Sequence, residues 1–373
     1  MSLNRVPNDK IRMTEWPSEK ISVRALVLHV PLRKGDESFN TLKAVLDDKL
    51  SLFNESVEAF SRSMKVKVFT KRLVLGIVDQ KVLTKLITRV EDFVDDYEID
   101  YYAIPILNIS DPKNLVITLQ EHPKLFTSIK YRDSLIGSII EVLHNFAERT
   151  WIGATHFAVS FGGLLQTPYF PATTATHEGI TVSLLYPSYF MDNIDNFNEI
   201  YNSLSKINKI FQAGTPMFRG IDYSLSPWME ESVARLIEQA GNASFTLPGT
   251  INGIVKVNNM LEELSRRLGG IGYNEVMLPL GEDDRLKQLA RENQLKFSHL
   301  LNYTAYCVAG LDMIPIPAST EEHVLRGIIS DLNAIYSVKR RVLGMRLIPV
   351  GADEGEEVDL GMFGNVPVLS PLF

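Results

Sequence analysis

Two spacings of hydrophobic residues alternate along the chain. Short runs rich in Val, Ile and Leu, such as residues 21–32 and 65–79, predict buried strands. In the segments 38–64 and 81–97, apolar residues recur every three or four positions, which is the spacing of one helix face. Strands that alternate with helices are typical of β-α-β units. The pattern therefore predicts a largely parallel sheet with helices packed on its outside.

The same two spacings predict the remaining elements. Further strands are predicted over 100–109, 156–161, 179–186, 217–224, 274–280, 308–316 and 345–350. Further helices are predicted over 113–150 (with a break at His122-Pro123), 196–213, 227–240, 250–268, 285–305 and 320–341. Ser319 and Glu322 have the spacing of a capping box, so we expect them to begin the last of these helices.

The number of strands favours one architecture over another. The fold class we predict is α/β. Because about nine strands are many for an open sheet, we predict a single closed α/β barrel. A doubly wound open sheet is the alternative. No change of composition marks a linker, and we therefore divide the chain into a polar lead-in, 1–20, and one barrel domain, 21–373.

Composition and charge narrow the classes of function. The 373 residues carry a net charge of −7 with 22% charged residues, which suits a globular protein in water and does not favour a nucleic-acid surface. No apolar run reaches the roughly 18 residues of a membrane span, and residues 1–20 lack the apolar core of a signal peptide. We therefore expect a cytoplasmic protein without a membrane partner. The single cysteine excludes an internal disulfide and a cysteine-based zinc site.

Charged residues within or directly after the apolar strands mark a candidate site. They are Arg219, Asp222, Glu282, Asp312 and Arg346. The carboxyl ends of parallel strands form the ligand crevice of many α/β proteins, and a buried charge is costly unless it is paired or used. We predict that the two arginines bind an anionic group of a substrate. The three carboxylates would then perform acid–base catalysis.

These residues also have structural interpretations. Asp222 could pair with Arg219, and Asp283 or Asp284 could cap the helix that begins at residue 285. Carboxylates alone also suit Mg²⁺ or Mn²⁺, so a divalent metal is an alternative use for them. No histidine pair of the H-E-x-x-H type is present, and we assign no residue as a metal ligand.

Three further residues complete the candidate site. Cys307 is a candidate nucleophile, although a lone cysteine is more often a small buried hydrophobe and no histidine adjoins it in sequence. His177 lies in the proline-rich loop 162–179, and long loops are often functional. Thr250 follows Pro248-Gly249 at a helix start, where free backbone amides can bind an anion. We therefore predict that His177 and Thr250 contribute to substrate binding.

Five motifs occur in an order that resembles a known family. They are 218–224 (FRGIDYS), 247–250 (LPGT), 277–283 (MLPLGED), 307–317 (CVAGLDMIPIP) and 346–350 (RLIPV). They resemble the successive motifs of the uncharacterised domain-of-unknown-function family 711, and 167–172 (TPYFPA) is similar to the form found in its archaeal members. The resemblance implies a fold similar to that of the glycyl-radical enzymes, among them pyruvate formate-lyase, with a ten-stranded α/β barrel around a central loop. It implies no activity, because none is assigned to the family.

The chain departs from these patterns in three places. Val308-Ala309 stands where the family has Gly-Thr, and the sequence at 351–353 is Gly-Ala-Asp where the family has Pro-Gly-Lys. A glycyl radical also needs a glycine in a C-terminal Arg-Val-x-Gly-Tyr loop. The segment 360–366 has neither that arginine nor that tyrosine. We therefore expect no glycyl radical.

The function predicted from these observations is that of a small-molecule enzyme that acts on an anionic metabolite in a barrel pocket. The alternative is a non-catalytic metabolite-binding or assembly protein on an enzyme-derived barrel, so the sequence does not decide whether the protein is an enzyme. We expect a homo-oligomer and no nucleic-acid partner. The substrate, the reaction and the number of subunits are not determined at this level.

Overall fold

The computed structural model describes residues 15–32, 39–148 and 151–372. Most of the predicted lead-in, 1–20, lies outside the described residues. The strands β1 to β14 are, in order, Ser22–Val30, Val68–Leu75, Tyr101–Ala103, Leu125–Lys130, Phe157–Phe161, Gly179–Leu185, Phe218–Asp222, Met277–Pro279, Ala309–Asp312, Ile314–Pro317, Leu343–Met345, Leu347–Val350, Glu357–Asp359 and Asn365–Pro367. The helices α1 to α11 are Phe39–Met64, Gln80–Asp96, Pro112–Glu121, Ile136–Ala147, Pro187–Asp192, Phe197–Gly214, Val233–Gly241, Thr250–Leu268, Asp284–Arg291, Phe297–Tyr303 and Glu322–Lys339.

A large central sheet organises the fold. Its eight strands lie in the order β11-β5-β4-β3-β2-β1-β6-β7. Strands β1 to β5 are all parallel to one another. Strand β6 is antiparallel to β1 and parallel to β7, and β11 is antiparallel to β5. The predicted α/β class with a largely parallel sheet is confirmed.

The short parallel pair β8–β9 is hydrogen-bonded to segments near both edges of the large sheet. The backbone N–H of Met277 in β8 donates to the carbonyl of Leu225, shortly after β7 (2.9 Å). On the other side, Gly344 in β11 donates to Val308, just before β9 (3.0 Å). Backbone bonds therefore reach from this pair toward both edge strands.

The helices form where the apolar spacing predicts them, because each has one face to bury. In α2, the side chains Leu83, Leu86, Val90 and Val94 are buried at intervals of three or four residues. They belong to one continuous apolar cluster that also contains the inward side chains of the large sheet. Removing this surface from water is the main driving force for packing helices on the sheet.

Part of the predicted helix over 113–150 is a strand. Helix α3 ends at Glu121, before His122-Pro123, and β4 follows immediately. Within β4 the side chains of Leu125, Thr127 and Ile129 are all buried, which is the spacing of two residues expected for a strand. In a segment of six residues this spacing is too short to be distinguished from a helix by sequence. The strand inserts between β3 and β5 and completes the parallel half of the sheet.

Several other predicted boundaries are wrong for local reasons. The helix over 285–305 is two helices, α9 and α10, with Asn293 in the left-handed region between them (φ 58°). The strand over 308–316 is divided into β9 and β10 at Met313 (φ 53°). The predicted capping box is not formed, because α11 begins at Glu322 itself. The pattern also does not predict α5, β13 or β14.

Candidate functional site

A cavity of about 250 Å³ lies at one end of the large sheet. Arg24 and Tyr101 reach it from the amino-terminal parts of β1 and β3, and Arg72 reaches it from the middle of β2. Leu185 and Asp312 reach it from the carboxyl ends of β6 and β9. These ends meet because β6 runs antiparallel to β1 and thereby reverses the direction of the strands that follow. The cavity therefore combines side chains from opposite ends of strands.

Arg346 is the centre of the ionic contacts in the cavity. Its Nε and Nη2 donate to the two carboxylate oxygens of Asp312 at 2.6 and 3.0 Å, a bidentate pair. Nη2 also donates to Glu282 Oε1 (3.2 Å), and Nη1 donates to the carbonyl of Thr155 (3.2 Å). Arg346 is nearly fully buried, so these contacts replace water around its guanidinium group.

Glu282 links this arginine to a second one. Its Oε2 accepts a hydrogen bond from Arg24 Nη2 (2.5 Å), and Arg24 Nη1 donates to the carbonyl of Pro227 (2.6 Å). Burial alone would raise the pKa of Glu282, but the attraction of Arg24 and Arg346 outweighs it and lowers the pKa below its ordinary value. Glu282 is therefore a carboxylate at neutral pH.

Asp312 differs from Glu282 although both contact Arg346. Burial raises the pKa of Asp312 above its ordinary value, and the attraction of Arg346 opposes that shift without cancelling it. Asp312 also lines the cavity. It is the carboxyl group of the site that is most readily protonated.

Arg72 is a cation of the cavity without a carboxylate partner among the described residues. Its Nε donates to Thr70 Oγ1 (2.8 Å) and its Nη1 to the carbonyl of Pro168 (3.5 Å). Its guanidinium carbon lies 5.0 Å from the ring centroid of Phe170 and 5.9 Å from that of Tyr101. Burial, followed by repulsion from Arg24, lowers its pKa to about 10, so it stays charged at neutral pH.

A histidine, His156, also lines the cavity. Its ring lies on Phe126 with centroids 4.2 Å apart, and its Nδ1 is enclosed without a hydrogen-bond partner among the described residues. Burial, with repulsion from Arg346, lowers the pKa of His156 to about 4. The imidazole is therefore uncharged at pH 7 and can exchange a hydrogen bond with a bound molecule.

The turn between β13 and β14 lies at the mouth of the cavity. Met362 and Phe363 line it, and the Met362 residue is 61% exposed. Lys287 Nζ donates to the carbonyl of Phe363 (3.2 Å), and the Phe363 ring packs edge-on to Trp228 at 5.9 Å. The end of the chain therefore shapes the entrance to the cavity.

The sequence of this chain matches a family model over residues 133–361, and that family is described as Uncharacterised ACR (DUF711). The chain belongs to the DUF711 family. The carboxylates Glu282 and Asp312 and the guanidinium of Arg346 lie within the matched residues, whereas Arg24 and Arg72 precede them.

Similar proteins are named UPF0210 proteins and come from bacteria and archaea. One from Clostridium acetobutylicum is 32% identical over 160 residues, which are 40% of this chain and 34% of the relative. One from Methanospirillum hungatei is 34% identical over 166 residues, or 42% of this chain and 35% of the relative. One from Actinobacillus succinogenes is 33% identical over 155 residues (40% and 34%). The matched part of this DUF711 chain thus spans about a third of these relatives.

Three of the site residues predicted for this DUF711 protein lie together in the cavity, namely Glu282, Asp312 and Arg346. Asp222 is placed elsewhere, fully buried beneath the loop that follows β5. Its carboxylate accepts hydrogen bonds from the side chains of Thr167 and Ser224 (2.7 and 2.6 Å) and from three backbone amides. These bonds occupy the carboxylate fully and give it a structural role.

The other predicted binding residues lie outside the cavity. Arg219 is exposed and donates from Nε to the carbonyl of Glu178 (2.6 Å), rather than pairing with Asp222. His177 is exposed beside Thr176, its Nδ1 and the Thr176 Oγ1 3.1 Å apart. Thr250 is buried, and its hydroxyl donates to the carbonyl of Leu247 (2.9 Å) at the start of α8. None of these three lines the cavity described here.

Cys307 is fully buried and does not line the cavity. Burial raises the pKa of its thiol to about 12, and the positive charge of Lys339 only partly opposes this. The thiolate is the nucleophilic form of cysteine, and at neutral pH almost none is present. The geometry therefore supports the interpretation of Cys307 as a small buried hydrophobe.

Two kinds of feature are absent from the described residues, namely a metal cluster and a membrane-spanning helix. No group of three or more His, Cys, Asp or Glu side chains in the described part of the chain is arranged to hold a metal ion. No helix within residues 15–32, 39–148 and 151–372 is both long and apolar enough to cross a membrane.

The sequence pattern does not single out Arg24, Arg72 or His156. The first two stand within strands, where a charged residue among apolar neighbours is most simply assigned to the solvent side. A signal was present, however, because both strands are rich in apolar residues and lie in the interior of the sheet order. An arginine in such a strand must find a polar partner or a cavity.

Proposed function

We propose that this protein binds a small organic monoanion in the cavity and transfers a proton to or from it. The observation that carries the proposal is the charge balance of the cavity wall. Three arginines line it but only two carboxylates, Glu282 and Asp312, and both of these contact Arg346. With His156 neutral, the wall has an excess of one positive charge, which an anionic ligand would balance.

Arg72 supplies that excess charge. Arg24 and Arg346 are held by carboxylates, whereas no carboxylate oxygen of a described residue lies within ion-pair distance of Arg72. Its guanidinium group is fixed between Tyr101 and Phe170, which orients its free N–H groups. Guanidinium matches the two oxygens of a carboxylate and is the group best suited to such a contact.

His156 and Asp312 are the groups assigned to proton transfer. A neutral imidazole with an unoccupied Nδ1 can accept a proton, and the Asp312 carboxylate, whose pKa burial raises, can take up a proton and return it. Both line the same cavity as Arg72. A ligand anchored by its carboxylate would therefore have both groups in the surrounding wall.

The proposal places this cavity inside a closed barrel. The backbone bonds from Met277 to Leu225 and from Gly344 to Val308 support closure, as does a further bond from Arg346 N–H to the carbonyl of Leu311 (2.9 Å). In this arrangement, β8 and β9 join β7 to β11, and β1 to β9 with β11 form one ring. A ring of ten strands is also what the resemblance to the glycyl-radical fold implies.

Binding without catalysis is the second candidate. The observation that favours it is that both carboxylates of the cavity are already engaged by arginine. Ion pairs of this kind hold a wall in place and do not require a reaction. A metabolite-binding protein would use Arg72 in the same way and leave its ligand unchanged.

A thermal-shift screen of small mono-, di- and tricarboxylates tests the binding step. A monocarboxylate at ~100 times its dissociation constant should stabilise the protein by about 2.7 kcal/mol, a shift of a few degrees. The Arg72→Gln variant should lose that shift. Arg267→Gln should keep it, since this arginine also lies over two aromatic rings but is remote from the cavity. A shift that persists in Arg72→Gln contradicts the proposal.

Proton transfer is tested with the bound acid in D₂O. If the protein is an enzyme of the proposed kind, NMR should show loss of the signal of the C–H next to the carboxylate. His156→Phe and Asp312→Asn should each abolish the exchange. A bound acid that exchanges no proton would leave the binding protein as the better description.

A further inference from the structure

We propose that the ligand is an aromatic monocarboxylate that carries a hydroxyl group. This inference rests on the proposed function and names the class of molecule for that same cavity. Three features of the wall define it: the rings that form its apolar part, the number of unpaired charges and the unoccupied nitrogen of His156.

The apolar part of the wall favours an aromatic ring. Phe126 and Phe170 meet edge to face with centroids 5.5 Å apart, and Tyr101 and the imidazole of His156 also contact the Phe126 ring. Because these lining rings are inclined to one another, an aromatic ligand can meet one by its face and the next by its edge. An aromatic ligand gains offset-stacked and edge-to-face contacts from them, beyond the area it buries, and a saturated ring does not.

The charges of the wall favour a single carboxylate. Arg72 can neutralise one, whereas Arg24 and Arg346 are engaged by Glu282 and Asp312. A second carboxylate would have to enter the cavity unpaired or displace a bidentate ion pair. Both are costly in a buried site.

The unpartnered Nδ1 of His156 favours a hydroxyl group on the ligand. A neutral imidazole has one nitrogen that donates and one that accepts, and its tautomer decides which is which. A hydroxyl can fill either role, so it pairs with Nδ1 in both tautomers. A ligand that leaves this enclosed nitrogen without a hydrogen-bond partner should therefore bind more weakly than one that supplies a partner.

A matched set of probes separates these three features in calorimetric titrations. Phenylacetate is the parent probe. Mandelate and 4-hydroxyphenylacetate add a hydroxyl at two positions, cyclohexylacetate saturates the ring, 2-phenylethanol removes the carboxylate and phenylmalonate adds a second one. We expect at least one hydroxylated probe to bind tenfold or more tightly than phenylacetate. Cyclohexylacetate, 2-phenylethanol and phenylmalonate should each bind at least tenfold more weakly than phenylacetate.

Two variants assign the contacts. His156→Phe keeps an aromatic ring but removes Nδ1. It should lose the preference for a hydroxyl, so the ratio of its affinities for the hydroxylated probe and for phenylacetate should fall to about one. Arg72→Gln should lose affinity for every acid of the set. His323→Phe and Arg267→Gln, both remote from the cavity, should behave as wild type.

The outcomes distinguish the two proposals. In two cases the inference on ligand class is wrong but the anion site remains supported. In the first, acids bind through Arg72 without preference for an aromatic ring or a hydroxyl. In the second, the preference for a hydroxyl persists in His156→Phe. If no acid of the set or of the wider screen binds to folded protein, both are wrong. Circular dichroism and thermal unfolding of each variant confirm that the comparison is made on folded protein.

Discussion

Arg346 shows how one residue can organise a cavity wall. Its guanidinium group contacts Asp312 in a bidentate manner, Glu282 through one nitrogen and the backbone of Thr155 through another. A buried ion pair of this type contributes little net stability compared with apolar residues of the same shape, but removal of one partner leaves the other uncompensated. The network therefore makes Arg346 costly to change.

Replacing Arg346 by Met should lower the free energy of unfolding by about 3–5 kcal/mol, because Asp312 then lacks an ionic partner among the described residues. Urea denaturation at pH 7 measures the loss. The double variant Arg346→Met/Asp312→Asn removes the isolated charge as well and should recover part of it. A single variant as stable as the wild type would show that the network is not formed.

His156 makes stability depend on pH in a predictable direction. Its pKa is about 4 in the folded protein and about 6.5 when unfolded, so between these values the unfolded chain binds more protons. Stability is fully present above pH 6.5 and is lost as the pH falls toward 4. Between pH 7 and pH 5, His156 should account for about 2 kcal/mol of that loss.

The His156→Phe variant isolates this contribution. In urea denaturation its free energy of unfolding should fall less between pH 7 and pH 5 than that of the wild type, by the amount stated above. His323→Phe, at an exposed position, should retain the pH dependence of the wild type. Equal pH dependence in wild type and His156→Phe would contradict a buried neutral imidazole.

Asp222 was a candidate for catalysis, but its contacts predict an effect on stability instead. In Asp222→Asn, a side-chain NH₂ faces donors such as Thr167 Oγ1 or the amide of Tyr273, so at least one hydrogen bond is lost. We expect unfolding to become easier by about 3 kcal/mol. Affinity for a monocarboxylate, measured on folded protein, should stay within twofold. Normal stability with lost binding would return Asp222 to the binding site.

At the scale of elements, a single carboxylate holds two helix starts together. Asp283 caps α9, where its Oδ1 accepts from the amides of Arg285 and Leu286 (2.9 and 3.3 Å). Its Oδ2 accepts from the amide of Ala234 in the first turn of α7 (3.0 Å), and Ser232 donates to Oδ1 (2.6 Å). The sequence predicts the first of these roles, and the structure adds the second.

Neighbouring residues give a matched test of this double cap. Asp283→Ala should lower the free energy of unfolding by about 2–4 kcal/mol, since a typical cap contributes about 1 kcal/mol and this one also satisfies buried donors of a second helix. Asp284→Ala should cost less than Asp283→Ala, because its half-exposed carboxylate pairs with one lysine, the buried Lys287, which also donates to the carbonyl of Phe363. Chemical denaturation of both variants decides whether the two differ.

Elements were predicted well where their periodicity extends over several turns, and poorly where it does not. Helix α2 repeats its apolar spacing over 17 residues, so its pattern is unambiguous. Strand β4 has six residues and follows a helix directly, and so short an apolar run fits a helix as well as a strand. The division of the helix over 285–305 depends on a left-handed Asn293, which the spacing of apolar residues does not report.

At the scale of the whole molecule, the direction of the strands decides where the cavity lies. The sequence predicts a ligand site at the carboxyl ends of parallel strands. The carboxyl ends of β6 and β9 line the cavity, but β1 to β5 run the other way and bring their amino-terminal sides to the same place. Much of the wall therefore comes from the opposite ends of strands, where the sequence pattern predicts no site.

Hydrogen exchange tests the proposed closure of the barrel. If β8 and β9 join both edges of the sheet, the amides of Met277, Val308 and Gly344 are hydrogen-bonded across strands. Mass spectrometry should then show peptides over 274–279, 306–312 and 343–347 exchanging as slowly as the central strand β1. An open sheet predicts fast exchange of these peptides beside a slow β1.

The sequence by itself determined the α/β class, most helices and the family, because these depend on local periodicity and on contiguous motifs. It also singled out three residues that line the cavity, Glu282, Asp312 and Arg346, because a charged residue within an apolar segment can be recognised from the sequence alone. Only the tertiary structure decided that Arg72 and His156 join them, and that Cys307 and Asp222 do not. The physical reason is that strand direction and depth of burial are set by contacts between distant segments, which no local pattern records.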